Sequence, residues 1–133
     1  MKLFVDASAI LAMLHHEPDA MDLADRLGDA DDLFWSPMVI WEATVVLARL
    51  RGIDVARASG DVREFGKAWS INLVVIGERE SELAVQAFGL YGKGTGHPAQ
   101  LNMGDCFAYA CAKANDARLL YKGDDFSATD LAR

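Results

Sequence analysis

The chain has 133 residues, 13 Lys and Arg against 20 Asp and Glu, a formal net charge of −7, and is 52% hydrophobic and 25% charged. This composition excludes intrinsic disorder, and the length suits one domain, residues 1–133, able to bury roughly two-thirds of the surface its unfolded chain exposes. The acidity argues against gripping polyanions through a broad basic surface, while leaving room for an enzyme whose positive charge arrives with a metal.

Leu3–Val5 is a short apolar run ahead of Asp6 and reads as a buried parallel strand. Ala7 to about His16 reads as a helix that stops before Pro18. A second helix follows over Pro18–Leu27, with Asp19 and Asp22 favouring its start and Gly28 its exit. Leu33–Trp35 is a short strand. Ser36-Pro37 then signals a helix start, and that helix runs to about Arg51, with Gly52 beyond. Asp54 to about Ser70 reads as a more polar helix and Leu73–Ile76 as a strand closed by Gly77. Glu78 to about Leu90 is a helix with acids in its first turn. Tyr91–Asn102 is irregular and glycine-rich; Gly104–Asn115 is helical, and Leu119–Tyr121 is a last strand before the Gly123-Asp124-Asp125 turn. Strands alternating with helices argue an α/β fold with a parallel sheet.

Cys106 and Cys111 match neither a redox pair nor a zinc spacing and read as small buried thiols of a reducing, cytoplasmic environment. The uninterrupted apolar run Ala7–Leu14 is too short to span a bilayer, so no membrane association is expected.

Three carboxylates stand apart from the acids that cluster among polar neighbours. Asp6 follows the apolar strand directly, Glu42 lies within the apolar stretch Met38–Ala48, and Asp105 opens the uncharged run Cys106–Ala112. An ionised carboxylate near an apolar interior is costly unless it is paired or bound to a cation, and no Lys or Arg neighbours any of them in sequence. A shared metal ion accounts for all three. In an open α/β sheet functional groups gather beyond the carboxyl ends of the strands, where Asp6 and the Asp124-Asp125 pair both fall. All-oxygen donors select Mg²⁺ or Mn²⁺ over Zn²⁺. The bland readings are helix capping for Asp6 and Asp105, a hidden Arg partner or a solvent-facing position for Glu42, and plain turn chemistry for Gly123-Asp124-Asp125.

Several short segments resemble the PIN-domain ribonucleases, in particular the VapC toxins of bacterial toxin–antitoxin pairs. They are Val5-Asp6-Ala7-Ser8-Ala9, Trp41-Glu42-Ala43, Tyr91-Gly92-Lys93-Gly94, Leu101-Asn102-Met103-Gly104-Asp105-Cys106-Phe107, and Leu119 through Phe126, closed by Thr129-Asp130. The resemblance implies a three-layer α/β/α fold, Mg²⁺-dependent endoribonuclease activity, a homodimer, and a cognate VapB-type antitoxin whose C-terminal segment covers the active-site groove. By position, Asp6, Glu42 and Asp105 match the first three acidic residues of the family, with Asp6 and Asp105 as metal ligands. Asp124 or Asp125 completes the site, with Asp130 a more distant candidate. Ser8 matches a hydroxyl position able to hold a carboxylate or a water near the metal.

On this reading the metal binds a scissile RNA phosphate and activates a water that Glu42 or a neighbouring Asp orients or deprotonates. Residues 43–133 are neutral overall whereas residues 1–42 carry −7, so RNA contacts are sought in the later part, at Lys93, Lys113, Arg118 and Lys122. Gly92-Lys93-Gly94-Thr95-Gly96 lacks the strand and spacing of a phosphate-binding Walker loop and reads as a mobile loop at the groove edge. His97 is expected at the surface, and Trp35, Trp41 and Trp69 in the core or a dimer interface. Two rival functions are an aspartyl-phosphate mechanism and a catalytically degenerate PIN fold kept for protein binding.

Overall fold

A computed structural model describes residues 1–131. Strand β1 (Lys2–Val5) is the apolar segment Leu3-Phe4-Val5, each 0–1% exposed, flanked by parallel neighbours on both sides. Full burial of such side chains contributes roughly 1.5–3 kcal/mol each, which fixes β1 as the centre of the sheet. It pairs with β2 (Asp32–Trp35) through Leu3↔Leu33 and with β4 (Arg118–Leu120) through Val5↔Leu120. The edge strand β3 (Asn72–Leu73) pairs with β2, giving the all-parallel order β3-β2-β1-β4.

Among the described residues six helices complete an α/β/α arrangement: α1 (Ala7–Leu14), α2 (Ala20–Asp29), α3 (Pro37–Arg51), α4 (Val55–Ala68), α5 (Glu78–Tyr91) and α6 (Met103–Ala114). The crossovers β1→β2 and β2→β3 step one way along the sheet, whereas β3→β4 returns past both to the far side of β1. Right-handed connections put helices of the two directions on opposite faces. The strand order therefore reverses between β1 and β4, and the crevice outside their carboxyl ends is where such a sheet offers a site. Asp6 follows β1 and the Asp124-Asp125 turn follows β4, so both lie at that edge.

Most expected elements are present, and the helix from Ser36-Pro37 has the expected limits: Ser36 Oγ accepts the Val39 N–H at 3.2 Å and Gly52 ends it at φ +63°. Several boundaries move. α1 ends at Leu14 because His16 adopts φ +52°. α2 begins at Ala20 rather than Pro18 and runs through Gly28 to Asp29; Asp19, at its start, makes no side-chain cap and instead faces Lys122 Nζ at 3.6 Å.

The strand expected over Leu73–Ile76 is only Asn72–Leu73, since an edge position supplies one partner and the Val74 N–H to Trp35 O bond (2.9 Å) is its last. Apolarity there does not mean burial, for Val75 is 76% exposed. The last strand starts at Arg118 and leaves buried Tyr121 outside the ladder. α6 begins one residue early, at Met103, behind an Asn102 cap.

Cys106 and Cys111 are buried free thiols, as expected, and burial first, then nearby acids, pushes each up to about 11. Trp35 belongs to the core but Trp41 does not, being 65% exposed. No helix among the described residues is long and apolar enough to cross a membrane.

Candidate active site

The site is built outward from Asp6. Extended backbone at φ −75°, ψ 154° ends β1 and turns the chain into α1, so Asp6 caps α1 by accepting the Ser8 N–H at 3.1 Å. The same Oδ2 accepts from Ser8 Oγ at 2.5 Å, and Ser8 Oγ in turn accepts the Lys122 backbone N–H at 3.0 Å. The Asp6 N–H bonds Leu120 O at 2.9 Å. Two hydrogen bonds thus lock the carboxyl end of β1 to that of β4. The capping reading of Asp6 is correct, but it explains only one of its oxygens. Asp6 is 8% exposed, and burial raises its carboxyl above the usual range despite the Ser8 bonds; the Asp125 charge pushes the same way.

Asp105 is the third residue of α6, in a reciprocal capping box. Its N–H donates to Asn102 Oδ1 (2.9 Å) and its Oδ2 accepts the Asn102 N–H (3.1 Å). The box consumes one oxygen of Asp105 and aims the half-buried carboxylate along the helix end. Burial pushes it up to about 7 against the Asn102 bond, with Asp125, Asp6 and Glu42 all adding repulsion. Glu42 projects from α3, also half-buried, and is pushed up to about 7 by burial first and the Asp6 charge second. Its carboxylate lies against Gly104 at the start of α6: a Cβ on Gly104 would stand 2.3 Å from Glu42 Oε1.

Asp6, Glu42, Asp105 and Asp125 therefore form one electrostatic group at the switch edge of the sheet, each felt by at least one other. Among the described residues no ion pair engages any of the four. Asp124, adjacent to Asp125, is not among the largest influences on Asp6, Glu42 or Asp105.

Asp130 is drawn elsewhere, into contact with Tyr109 OH (2.6 Å), Tyr91 OH (3.4 Å) and the Lys113 ammonium. The donor chemistry suits a hard divalent cation, which would relieve both the burial cost and the repulsion. As they stand, no three His, Cys, Asp or Glu side chains among the described residues enclose an ion; the four carboxylates are within electrostatic reach of each other, not yet at coordination spacing.

Beside the acids, Met38, Trp41, Glu42, Asn102, Met103 and Gly104 line an open groove of about 490 Å³. The expected basic contacts separate by position. Lys93 is exposed on the glycine-rich loop, which is closed by Lys93 N–H to Leu101 O (2.9 Å) and Leu101 N–H to Tyr91 O (2.9 Å). Lys113 pairs with Asp130, and Lys122 pairs with Glu17 at 2.8 Å. Arg118 begins β4 opposite Leu3, a strand's length from the acidic edge. His97 is not simply solvated: its Nδ1 accepts the Ala99 N–H at 3.1 Å and its ring meets Tyr91 edge-on. Sequence reasoning gave no role to Gly104 or Asn102. The spacing Asn-x-x-Asp ahead of an apolar run signals the capping box, whereas nothing local signals the contact between Gly104 and Glu42.

The PIN domain family model matches residues 3–131. A VapC ribonuclease of Rhizobium meliloti is 47% identical to this chain, with 96% of the chain and 98% of that protein aligned. Ribonuclease VapC28 of Mycobacterium tuberculosis is 39% identical over 98% of the chain and 96% of its own length. Among solved structures, a toxin–antitoxin complex from Klebsiella pneumoniae superposes with a TM-score of 0.72 at 17% identity, covering 100% of this chain and 96% of that one. The M. tuberculosis toxin VapC20, described as cleaving the sarcin-ricin loop, gives a TM-score of 0.70 at 18% identity over 95% and 93% of the two chains. These two likenesses concern the fold.

Proposed function

The chain belongs to the PIN-domain family, and on that premise we propose that it is a divalent-metal-dependent endoribonuclease, the toxin of a VapBC-type toxin–antitoxin pair. One observation carries the reading: Asp6, Glu42 and Asp105, from three separate elements, share one electrostatic site at the switch edge, with raised carboxyl pKa values and no basic partner. A fold that needed only to bind protein gains nothing from carboxylates kept half-buried against each other.

Asp6 and Asp105 would hold a Mg²⁺ ion, for which Mn²⁺ can substitute, with Asp125 favoured over Asp124 as the further acid. When bound, the metal supplies charge neutralisation at the scissile phosphate and a more acidic water. Ser8 holds the Asp6 carboxylate in orientation through its 2.5 Å bond. Glu42, whose carboxyl is pushed up to about 7 in the metal-free protein by burial and the Asp6 charge, would orient the attacking water or take its proton. Lys93 would meet RNA phosphate at the groove edge.

Names and descriptions of the relatives support a VapB-type antitoxin as partner. We further propose a cytoplasmic location and a homodimer, the latter supported by the apolar surface that Val85, Phe88, Met103 and Trp41 leave uncovered. The deciding experiment is RNA cleavage by the wild type and Asp6→Asn, with Mg²⁺ and with EDTA. Cleavage by the wild type alone, abolished by chelation, is expected. Equal cleavage by both proteins, or cleavage indifferent to EDTA, overturns the reading, and no cleavage by either leaves the protein-binding alternative standing.

A further inference from the structure

We infer that Gly104 is a positioning residue for Glu42: the bare second position of α6 is what lets the Glu42 carboxylate lie against the start of that helix beside Asp105. A Cβ built there would stand 2.3 Å from Glu42 Oε1 and 2.7 Å from both Cδ and Oε2. All three of its nearest atoms belong to one carboxyl group.

Neither backbone conformation nor helix propensity calls for a glycine at this place. The φ of Gly104 is not in the left-handed region, unlike those of Gly52, Gly94, Gly96 and Gly123, so the backbone does not require it. Gly28, Gly60 and Gly89, also helical, would receive a Cβ without touching anything within 4 Å, so helices of this chain carry glycine without such contacts elsewhere. Alanine is the better helix former, and position 104 forgoes that advantage.

The group in conflict with a Cβ is the far end of a flexible side chain. An alanine would therefore leave the helix in place and swing the carboxylate away from Asp6 and Asp105. The result is a lesion in geometry with no lesion in the fold. Its consequence for RNA cleavage rests on the nuclease reading above, whereas the displacement itself does not.

The test is Gly104→Ala, alone and with Glu42→Ala. In protein labelled with ¹³C at the glutamate carboxyls, the Glu42 resonance, identified by its loss in Glu42→Gln, is expected to shift in Gly104→Ala. The melting temperature is expected to hold or rise, and to rise more in the Glu42→Ala background, where nothing occupies the space. Cleavage kcat/KM is expected to fall by about 10- to 100-fold, the usual cost of misplacing a reacting group by about 1 Å. An unmoved Glu42 resonance overturns the inference, as does a melting temperature lowered equally in both backgrounds. If the wild type cleaves no RNA the nuclease reading fails, and the resonance and melting data still decide the role of Gly104.

Discussion

Ser8 Oγ donates to Asp6 Oδ2 at 2.5 Å across the corner where β1 becomes α1, while the same hydroxyl accepts the backbone N–H of Lys122 at 3.0 Å. One small side chain thus orients the most buried carboxylate of the site and ties the ends of the two strands that flank the crevice. Ser8→Ala removes a bond to a carboxylate and leaves a partly buried N–H without its partner. Each loss is worth about 1–3 kcal/mol, the two sharing some of that cost. The expected outcome is a destabilisation of that order in urea unfolding together with at least tenfold slower RNA cleavage. Ser8→Thr, which keeps the hydroxyl, should recover much of both. Wild-type behaviour of Ser8→Ala in both measurements would show that the corner is held by the backbone bonds alone.

The adjacent acids Asp124 and Asp125 separate in a way their sequence does not reveal. Asp125 is among the largest influences raising the carboxyls of both Asp6 and Asp105, and Asp124 is not. Asp125→Asn is therefore expected to impair cleavage by about tenfold or more and to weaken Mn²⁺ binding measured by calorimetry, with Asp124→Asn close to wild type in both. The reverse order would assign the further acid to Asp124.

This pair marks where the sequence stops being informative. Asp6, Glu42 and Asp105 were legible because each interrupts an apolar stretch, which is a property of neighbours along the chain. The parallel sheet and the Ser36-Pro37 helix start were legible for the same local reason. The choice between Asp124 and Asp125 depends on which way a four-residue turn faces. The short β3 depends on being at an edge, a fact of topology. Trp41 reads as apolar and is found at a groove rim, because composition cannot distinguish a core side chain from an exposed apolar one. The ion pairs of Lys113 with Asp130 and of Lys122 with Glu17 join residues 17 and 105 positions apart, beyond any local pattern.

Metal-free protein should lose stability as pH rises through neutrality. The carboxyls of Glu42 and Asp105 lie near 7 in the fold against ordinary values of 4.5 and 3.8. Between those limits the folded state binds more protons than the unfolded chain, so unfolding free energy falls with increasing pH. Asp130 lies below its ordinary value and exerts its opposite effect only in more acidic solution. Melting temperature in EDTA is expected to decline by several degrees from about pH 5 to pH 8, with a shallower slope in Glu42→Gln and Asp105→Asn. Added Mg²⁺ should stabilise most at the alkaline end, where the ligands are ionised and binding to the native state counts fully. A melting temperature that is flat or rises over this range in EDTA would contradict the shared burial of these acids.

The four basic residues singled out for RNA contact should prove unequal. Phosphate binding requires a charge that is exposed, unpaired and on the same edge as the acids. Lys93 is exposed on the loop that closes between Tyr91 and Leu101, two residues beyond which α6 begins. Arg118 is exposed too, but it sits at the amino end of β4 opposite Leu3, whereas Asp6 lies past the carboxyl end of β1. Lys122 would have to leave Glu17 and Asp19, and Lys113 would have to leave Asp130. Exposed ion pairs are weak, so these two remain recruitable, though at reduced effect. Lys93→Ala is expected to raise KM several-fold with kcat nearly unchanged. It should also lower the slope of log affinity against log salt by about 0.7, the value for one phosphate contact on single-stranded nucleic acid. Arg118→Ala should leave both quantities at wild-type values, and Lys113→Ala and Lys122→Ala should fall between. Binding measured by fluorescence anisotropy with the Asp6→Asn protein, across a salt series, separates these cases without cleavage. An Arg118→Ala protein with the larger loss of salt dependence would place the RNA path along the opposite edge of the sheet.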